Sequence, residues 1–301
     1  MGGYWCLFFK SMVNMPLLYS STSAFSEATD AYQQSKVIKI QSKGKKMKVT
    51  AFVGSAQKNH TYDASLQFMK NLQKIGVVEY EIVQLSDYEL KPCRGCKICT
   101  DKNEKLCPLK DDRDVLIEKI EGSDGIVFAS PNYFFHESAF MKLFIDRLSF
   151  YSHRPAFFGK TFTCIVTQGM MGGKDIVKYL SFVGDRVGFN IVKGSVLTTL
   201  EPMTEKGQRK IDTVLDKHSK RFFSELIKKE YPAPTLFKLM IFRMSRTSAR
   251  LMLNDDYRDF SYFERKGWFE SDYYYPVRMN PIKKMMGKIF DITAVRMAAN
   301  R

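Results

Sequence analysis

The chain has 301 residues, 45% of them hydrophobic and 26% charged, with a formal net charge of +15 and six cysteines. That mixture is too apolar for intrinsic disorder and too poor in cysteine for a disulfide scaffold, and it holds no apolar run long enough for a membrane span. Of the charge, +4 lies in residues 1–47 and +6 in residues 232–301, leaving +5 for the long middle. A nucleic-acid binder gathers its basic residues on one stripe or helix, so nucleic acid is not an expected partner.

Residues 1–46 differ from the rest of the chain: they are rich in Ser, Thr and Gln from Ser20 to Gln41 and lead into the basic run Lys43–Lys48. A purine-rich stretch must encode Lys-Gly-Lys-Lys, as a ribosome-binding site before Met47 would require. Met47 is therefore the expected start, and the leader an over-called one, disordered if made. The apolar stretch Tyr4–Tyr19 is interrupted by Lys10 and has no basic flank before it, which argues against an export signal.

From Met47 strands and helices alternate. A strand at 48–53 precedes a helix from about Asp63 to Ile75, then come a strand at Glu79–Leu85, the cysteine loop 91–110 and a helix at Asp112–Ile120. A third strand, Gly125–Ala129, leads to a helix around 138–150. A fourth, Thr161–Thr167, leads to a helix at 174–186, and a fifth, Phe189–Leu197, to a long polar helix at Glu205–Lys229. Continuous apolar strands between helices predict an α/β domain over 47–230, a doubly wound five-stranded parallel sheet of order 2-1-3-4-5. In that order ligands bind at the carboxyl ends of strands 1 and 3.

Pro232 and Pro234 mark a break, and residues 231–301 form a basic, aromatic-rich helical extension. In Leu236–Leu253, helical spacing puts Phe237, Met240, Ile241, Met244 and Leu251 on one face and Arg243, Arg246 and Arg250 on another. An aromatic piece from Tyr257 to Tyr275 and a last basic helix near 281–299 complete the chain. The extension is expected to pack its apolar faces on the domain; docking on an anionic membrane surface, closure over the ligand site and dimer packing are the alternatives.

Three loops at strand ends carry candidate ligand groups. After strand 1, Ser55, Gln57, Lys58, Asn59, Thr61 and Tyr62 gather hydroxyl, amide and cationic donors before a helix N-terminus, which suits a phosphate. After strand 3, Pro131, Asn132, Tyr133 and Phe134 put aromatic rings where a polar turn is usual, a wall for a flat ligand. After strand 4, Gln168, Gly169 and Gly172 allow close backbone approach to such a ligand. Asp111, Asp112 and Asp114 read as charges at a helix N-terminus, and His136 and His153 as structural or solvent-facing residues.

The run Cys93-x-x-Cys96-x-x-Cys99-x7-Cys107-Pro108 is the sharpest chemical signal. Thiolates so spaced can converge on one inorganic cluster or one tetrahedral metal, and their clustering suits a reducing cytoplasm better than disulfides. A four-iron, four-sulfur cluster, a zinc ion and unligated thiols are the three readings.

The Gly-Ser loop at 54–55, the Ser-Pro-x-Tyr loop at 130–133 and the run Met141-Lys142-Leu143-Phe144-Ile145-Asp146-Arg147-Leu148 together resemble the NAD(P)H-dependent FMN reductases of the flavodoxin-like superfamily. The cysteine spacing resembles that of the iron-sulfur flavoproteins, a subgroup of that family. The resemblance covers Met47 to about Leu200. It implies a flavodoxin-like fold, Ser55, Gln57, Asn59 and Thr61 on the FMN phosphate, and Pro131–Phe134 on the flavin ring. The chain departs from the family at Gln57, often Arg there, and at Thr61-Tyr62, often Asn-Thr. The implied function is electron transfer from NAD(P)H or a ferredoxin-like donor through FMN and a cluster, in a homo-oligomer. An FMN, quinone or nitro-compound reductase without a cluster, or a non-catalytic flavin electron carrier, are the alternatives.

Overall fold

Strands rich in Val, Ile and Phe with few polar interruptions seek burial on both faces, and they form the centre of the molecule. The computed structural model describes residues 46–300; apart from Lys46, the leader expected over 1–46 lies outside them. Strand β1 (Met47–Val53) pairs in parallel with β2 (Val78–Gln84) on one side and β3 (Gly125–Tyr133) on the other. β3 pairs in parallel with β5 (Thr161–Gln168), and β5 with β6 (Asn190–Ile191) and β7 (Ser195–Thr198). Counting β6 and β7 as one strand, the parallel order is 2-1-3-4-5, that of the flavodoxin-like fold.

Helices α1 (His60–Ile75) and α6 (Glu205–Leu226) cover one face, where Phe68 meets Phe222 at 5.6 Å between ring centroids. On the other face Phe52, Phe128 and Phe162 pack with α3 (Arg113–Glu121), α4 (Ala139–Arg147) and α5 (Gly173–Arg186) through Leu116, Phe144 and Leu180. Each such buried side chain contributes about 1.5–3 kcal/mol.

Two departures from the expected strands matter. β3 does not stop at Ala129 but runs to Tyr133 and returns as the two-residue β4 (His136–Glu137), an antiparallel hairpin. Its turn is Phe134–Phe135, both in the left-handed region at φ 49° and 66°. Aromatic residues seldom adopt that conformation, so the sequence gives no turn signal there. The expected strand at Phe189–Leu197 is split. Between paired positions β5 advances from Phe162 to Ile165 while its partner advances from Ile191 to Ser195, one residue more, which is a bulge. The Thr163 hydroxyl fills the gap in the ladder by donating to the Val192 carbonyl at 3.0 Å.

The extension forms α7 (Leu236–Met252), α8 (Arg258–Arg265) and α9 (Pro281–Ala299). Leu239, Phe242, Phe263, Trp268, Tyr273 and Met279 make an aromatic core of their own. The faces of α7 therefore differ from those expected: Leu239, Phe242 and Arg243 are buried while Phe237 and Leu251 are exposed. Arg243 tolerates burial because Asp272 and Asp291 pair with it, and Arg246 also reaches Asp291 at 2.7 Å. Contact with the domain runs through Phe158 stacked on Tyr274, Lys238 paired with Asp185, and His153 bonded to Asp259 at 2.9 Å. No helix among the described residues is long and apolar enough to cross a membrane.

Candidate functional site

The three expected loops meet at the carboxyl edge of the sheet. The Gly54 amide donates to the Ala129 carbonyl at 2.8 Å, and the Ser138 hydroxyl donates back to the Gly54 carbonyl at 2.5 Å, joining the loops after β1 and β3. Asn132 joins the second to the third by donating through Nδ2 to the Met171 carbonyl at 2.6 Å. Thr61 and Thr167 share a buried hydroxyl hydrogen bond at 2.7 Å, joining the first to the third.

This bracing divides the phosphate-loop candidates. The hydroxyl of buried Ser55 donates to the Gln57 carbonyl at 2.8 Å, and that of Thr61 is turned to Thr167, so both face the scaffold. Gln57, Lys58 and Asn59 are exposed at the entrance to α1, with Lys58 5.5 Å from the Tyr62 ring centre. Asn59 is the N-cap of α1, yet no side chain takes the first-turn N–H groups. The opening is thus a cationic, donor-rich helix start suited to an anion.

Beside it lies an apolar rim. Tyr133, Phe135, Met170 and Met171 are largely exposed, and Phe134 is 95% exposed. Pro131 is buried in β3, and Gly169 stands open, its nearest neighbour Leu200. Gln168 pins the third loop by accepting from the Gly173 amide at 2.7 Å and donating to the Met170 carbonyl at 3.1 Å. Gly172 sits at φ 94°, and a Cβ there would come within 2.8 Å of Phe135. Asn132 Oδ1 is buried with no hydrogen-bond partner, a cost that a donor on a bound ligand would remove. An apolar rim, an unpaired acceptor and an uncapped helix start fit a flat heteroaromatic ligand with a phosphate tail.

The four clustered cysteines line one concavity with Arg113, Asp146, Arg147 and Pro108. Cys93 and Cys96 are exposed, Cys99 and Cys107 half-buried. Gly95 and Lys97, both in the left-handed region, turn the backbone between the first three, and Cys99 sits in the single-turn α2 (Ile98–Asp101). Burial pushes the Cys99 thiol above its ordinary pKa, and the neighbouring Cys107 and Cys93 add to the rise. Arg147 is buried with its Nη2 3.7 Å from Cys107 Sγ, a cation beside a potential thiolate. Asp111 is no simple helix-end charge: it binds Arg147 at 2.5 and 3.0 Å and accepts from the Lys91 amide at 2.9 Å. Among the described residues no three His, Cys, Asp or Glu side chains come together as the ligands of one metal ion.

The family model of NADPH-dependent FMN reductases matches residues 47–200, the stretch from β1 to just beyond β7 that contains all three loops. The chain belongs to the NADPH-dependent FMN reductase family. It is 35% identical over 164 residues to an iron-sulfur flavoprotein of Archaeoglobus fulgidus, covering 50% of this chain and 72% of that one. With an iron-sulfur flavoprotein of Clostridioides difficile it shares 28% identity over 200 residues, 65% of this chain and 86% of the relative. Among solved structures, an NAD(P)H:quinone oxidoreductase from Methanothermobacter marburgensis aligns with a TM-score of 0.47 at 16% identity, over 58% of this chain and 98% of that one.

As an FMN reductase family member the chain is an NAD(P)H-dependent FMN oxidoreductase. Several residues of its site carry no clear mark in the sequence. Gln84, at the end of β2, donates to the Ser55 carbonyl and leaves its buried Oε1 without a partner. Ser138 caps α4 and ties it to the phosphate loop. Arg113 and Arg154 join Arg147 in gripping the cysteine loop: Arg113 donates to the Glu104 carbonyl at 2.8 Å, Arg154 to the Cys99 carbonyl at 2.7 Å. A polar residue ending an apolar strand is the available signal for Gln84; nothing local marks Arg113 or Arg154, whereas Arg147 belongs to the run 141–148 that carries the family resemblance.

Proposed function

We propose that the protein moves electrons from reduced nicotinamide, or from a small redox protein, through FMN to a four-iron, four-sulfur cluster on Cys93, Cys96, Cys99 and Cys107. The observation that carries the reading is the shared cavity into which all four cysteines open, beside buried Arg147. A lone zinc ion asks for sulfurs about 3.8 Å apart around Zn–S bonds of about 2.3 Å. A cluster spreads its cysteines over separate irons, a wider arrangement, in keeping with four cysteines on one concavity of which no three, among the described residues, come together as ligands of one metal ion.

When bound, FMN supplies two-electron exchange with nicotinamide and one-electron exchange with a cluster. In this reading Gln57, Lys58, Asn59 and the first-turn N–H groups of α1 hold the phosphate. Ser55 and Thr61 brace that loop from behind. Pro131, Asn132, Tyr133, Phe134, Gly169 and Gly172 flank the ring, and Gln168 holds the third loop open. Tyr62 backs the Lys58 ammonium.

Anaerobically purified protein is expected to contain about four iron and four labile sulfide per chain and to show flavin and cluster absorption together. Zinc at unit stoichiometry without sulfide overturns the cluster and leaves an FMN reductase with a zinc-bound loop. Turnover is compared with NADPH, NADH and reduced ferredoxin. Lys58→Glu is expected to weaken FMN about tenfold while leaving riboflavin, which has no phosphate, unchanged. Equal loss for both ligands would remove Lys58 from the phosphate site.

A further inference from the structure

We infer that the C-terminal extension is part of the thiol site, with α8 positioning Cys99 through Arg154 and Glu104. This rests on the reading of the four cysteines as one ligand set. Arg154 is buried, its side chain 2% exposed, and donates to the Cys99 carbonyl at 2.7 Å and the Thr100 carbonyl at 3.0 Å. One guanidinium therefore takes two successive carbonyls of the turn that carries Cys99. The carboxylate in direct contact with that guanidinium is Asp259 of α8, with Glu104 further off at 3.4 Å. Glu104, three residues before Cys107, is in turn gripped by Arg258 of α8 at 2.8 and 3.2 Å. A buried guanidinium stripped of its carboxylate is strongly unfavourable. Without α8, Arg154 keeps only Glu104 at 3.4 Å, itself released from Arg258, so a segment outside the reductase domain positions a ligand inside it.

The test uses full-length, FMN-loaded protein freed of metal by chelation, treated with iodoacetamide, with each cysteine followed by peptide mass. Asp259→Asn and, separately, Arg258→Met are expected to raise the alkylation rate of Cys99 at least tenfold. Exposed Cys93 and Cys96 are expected to stay unchanged, and Asp259→Glu to remain near the parent. An unchanged Cys99 rate overturns the inference. So does a uniform rise that includes Cys164 in the core, which reports unfolding instead. Iron and sulfide content of the untreated parent tests the cluster separately, so a parent without a cluster but with the Cys99 contrast sinks only the cluster.

A different surface carries a second inference: we propose that α9 docks on an anionic lipid bilayer. The inner face of α9 packs on α7 through Gly287 and Ala294, while Ile282, Met285, Ile289 and Ile292 recur at three- and four-residue spacing on the opposite face, all exposed. A helix that is apolar on both sides needs a cover on its outer side. Its one carboxylate, Asp291, is held by Arg243, Arg246 and Thr247, so its exposed charges, Lys284, Lys288 and Arg296, are all basic. A second copy of such a face would meet like charge, whereas anionic headgroups attract its basic residues. Full-length protein is expected to float with vesicles containing phosphatidylglycerol and not with pure phosphatidylcholine. Paired Met285→Asp and Ile289→Asp changes abolish flotation, and Lys284→Glu with Lys288→Glu weakens it at least tenfold. Failure to float, or a dimer in light scattering that the aspartates dissociate, overturns the proposal in favour of no lipid contact or of a second copy.

Discussion

Arg147→Met is expected to cost the protein about 3–5 kcal/mol, read as a lower urea midpoint at constant slope. The guanidinium and its partner Asp111 are 2% and 1% exposed. Besides two bonds to Asp111 it makes one to the Lys91 carbonyl at 2.8 Å, so it ties together both ends of the cysteine loop. Methionine fills much of the volume but leaves the Asp111 carboxylate buried and unpaired. Lysine is expected to restore little, because one ammonium cannot span both carboxylate oxygens and the carbonyl. Adding Asp111→Asn to Arg147→Met should recover part of the loss, since it removes the stranded charge. A cost below about 1 kcal/mol, or full rescue by lysine, would mean the pair is structurally idle.

Acidification from pH 7 to pH 5 is expected to cost about 2 kcal/mol through one side chain, His218. It lies in α6 with no exposure, its Nε2 sharing a hydrogen bond with the Thr163 hydroxyl at 2.6 Å and its Nδ1 buried without a partner. Burial, with Arg221 adding to it, holds its pKa down at about 3 against an ordinary 6.5. Between those values the unfolded chain takes up a proton that the folded one refuses. Stability therefore declines as pH falls below about 6.5 and keeps declining until the folded imidazole itself titrates near 3. Thermal melts of His218→Leu should be flatter over pH 5–7 than those of the parent. Thr163 keeps a partner in that variant, the Val192 carbonyl, so no new unpaired hydroxyl is created. Parallel curves for the two proteins would place the pH dependence elsewhere.

How much of the molecule is legible in its sequence depends on the range of the interactions. The sheet order comes from apolar runs and turn residues, which act within a few positions, and the ligand loops are found with it because they sit at strand ends. The hairpin after β3 is hidden because Phe134 and Phe135 hold a conformation their residue type disfavours. Thr61 reads as a phosphate donor from its neighbours, yet its hydroxyl partner, Thr167, lies 106 residues away. Arginine reads as surface by default, and the burial of Arg147 and Arg154 depends on Asp111 and Asp259, 36 and 105 residues distant. The burial of Arg243 on the supposed polar face of α7 has the same origin, in Asp272 and Asp291.

Helix α4 begins at Ser138, bonded to the phosphate loop, and ends at Arg147, bonded to the cysteine loop. It is therefore a ruler between these two loops. Nine residues at about 1.5 Å each set the spacing of the phosphate-loop and cysteine-loop anchors at about 13 Å. Side chains on its outer face can vary without touching that spacing. One residue more or less would shift the far end by about 1.5 Å and swing Arg147 by about 100° around the axis, away from Asp111. The tolerance of this segment is to composition and not to length.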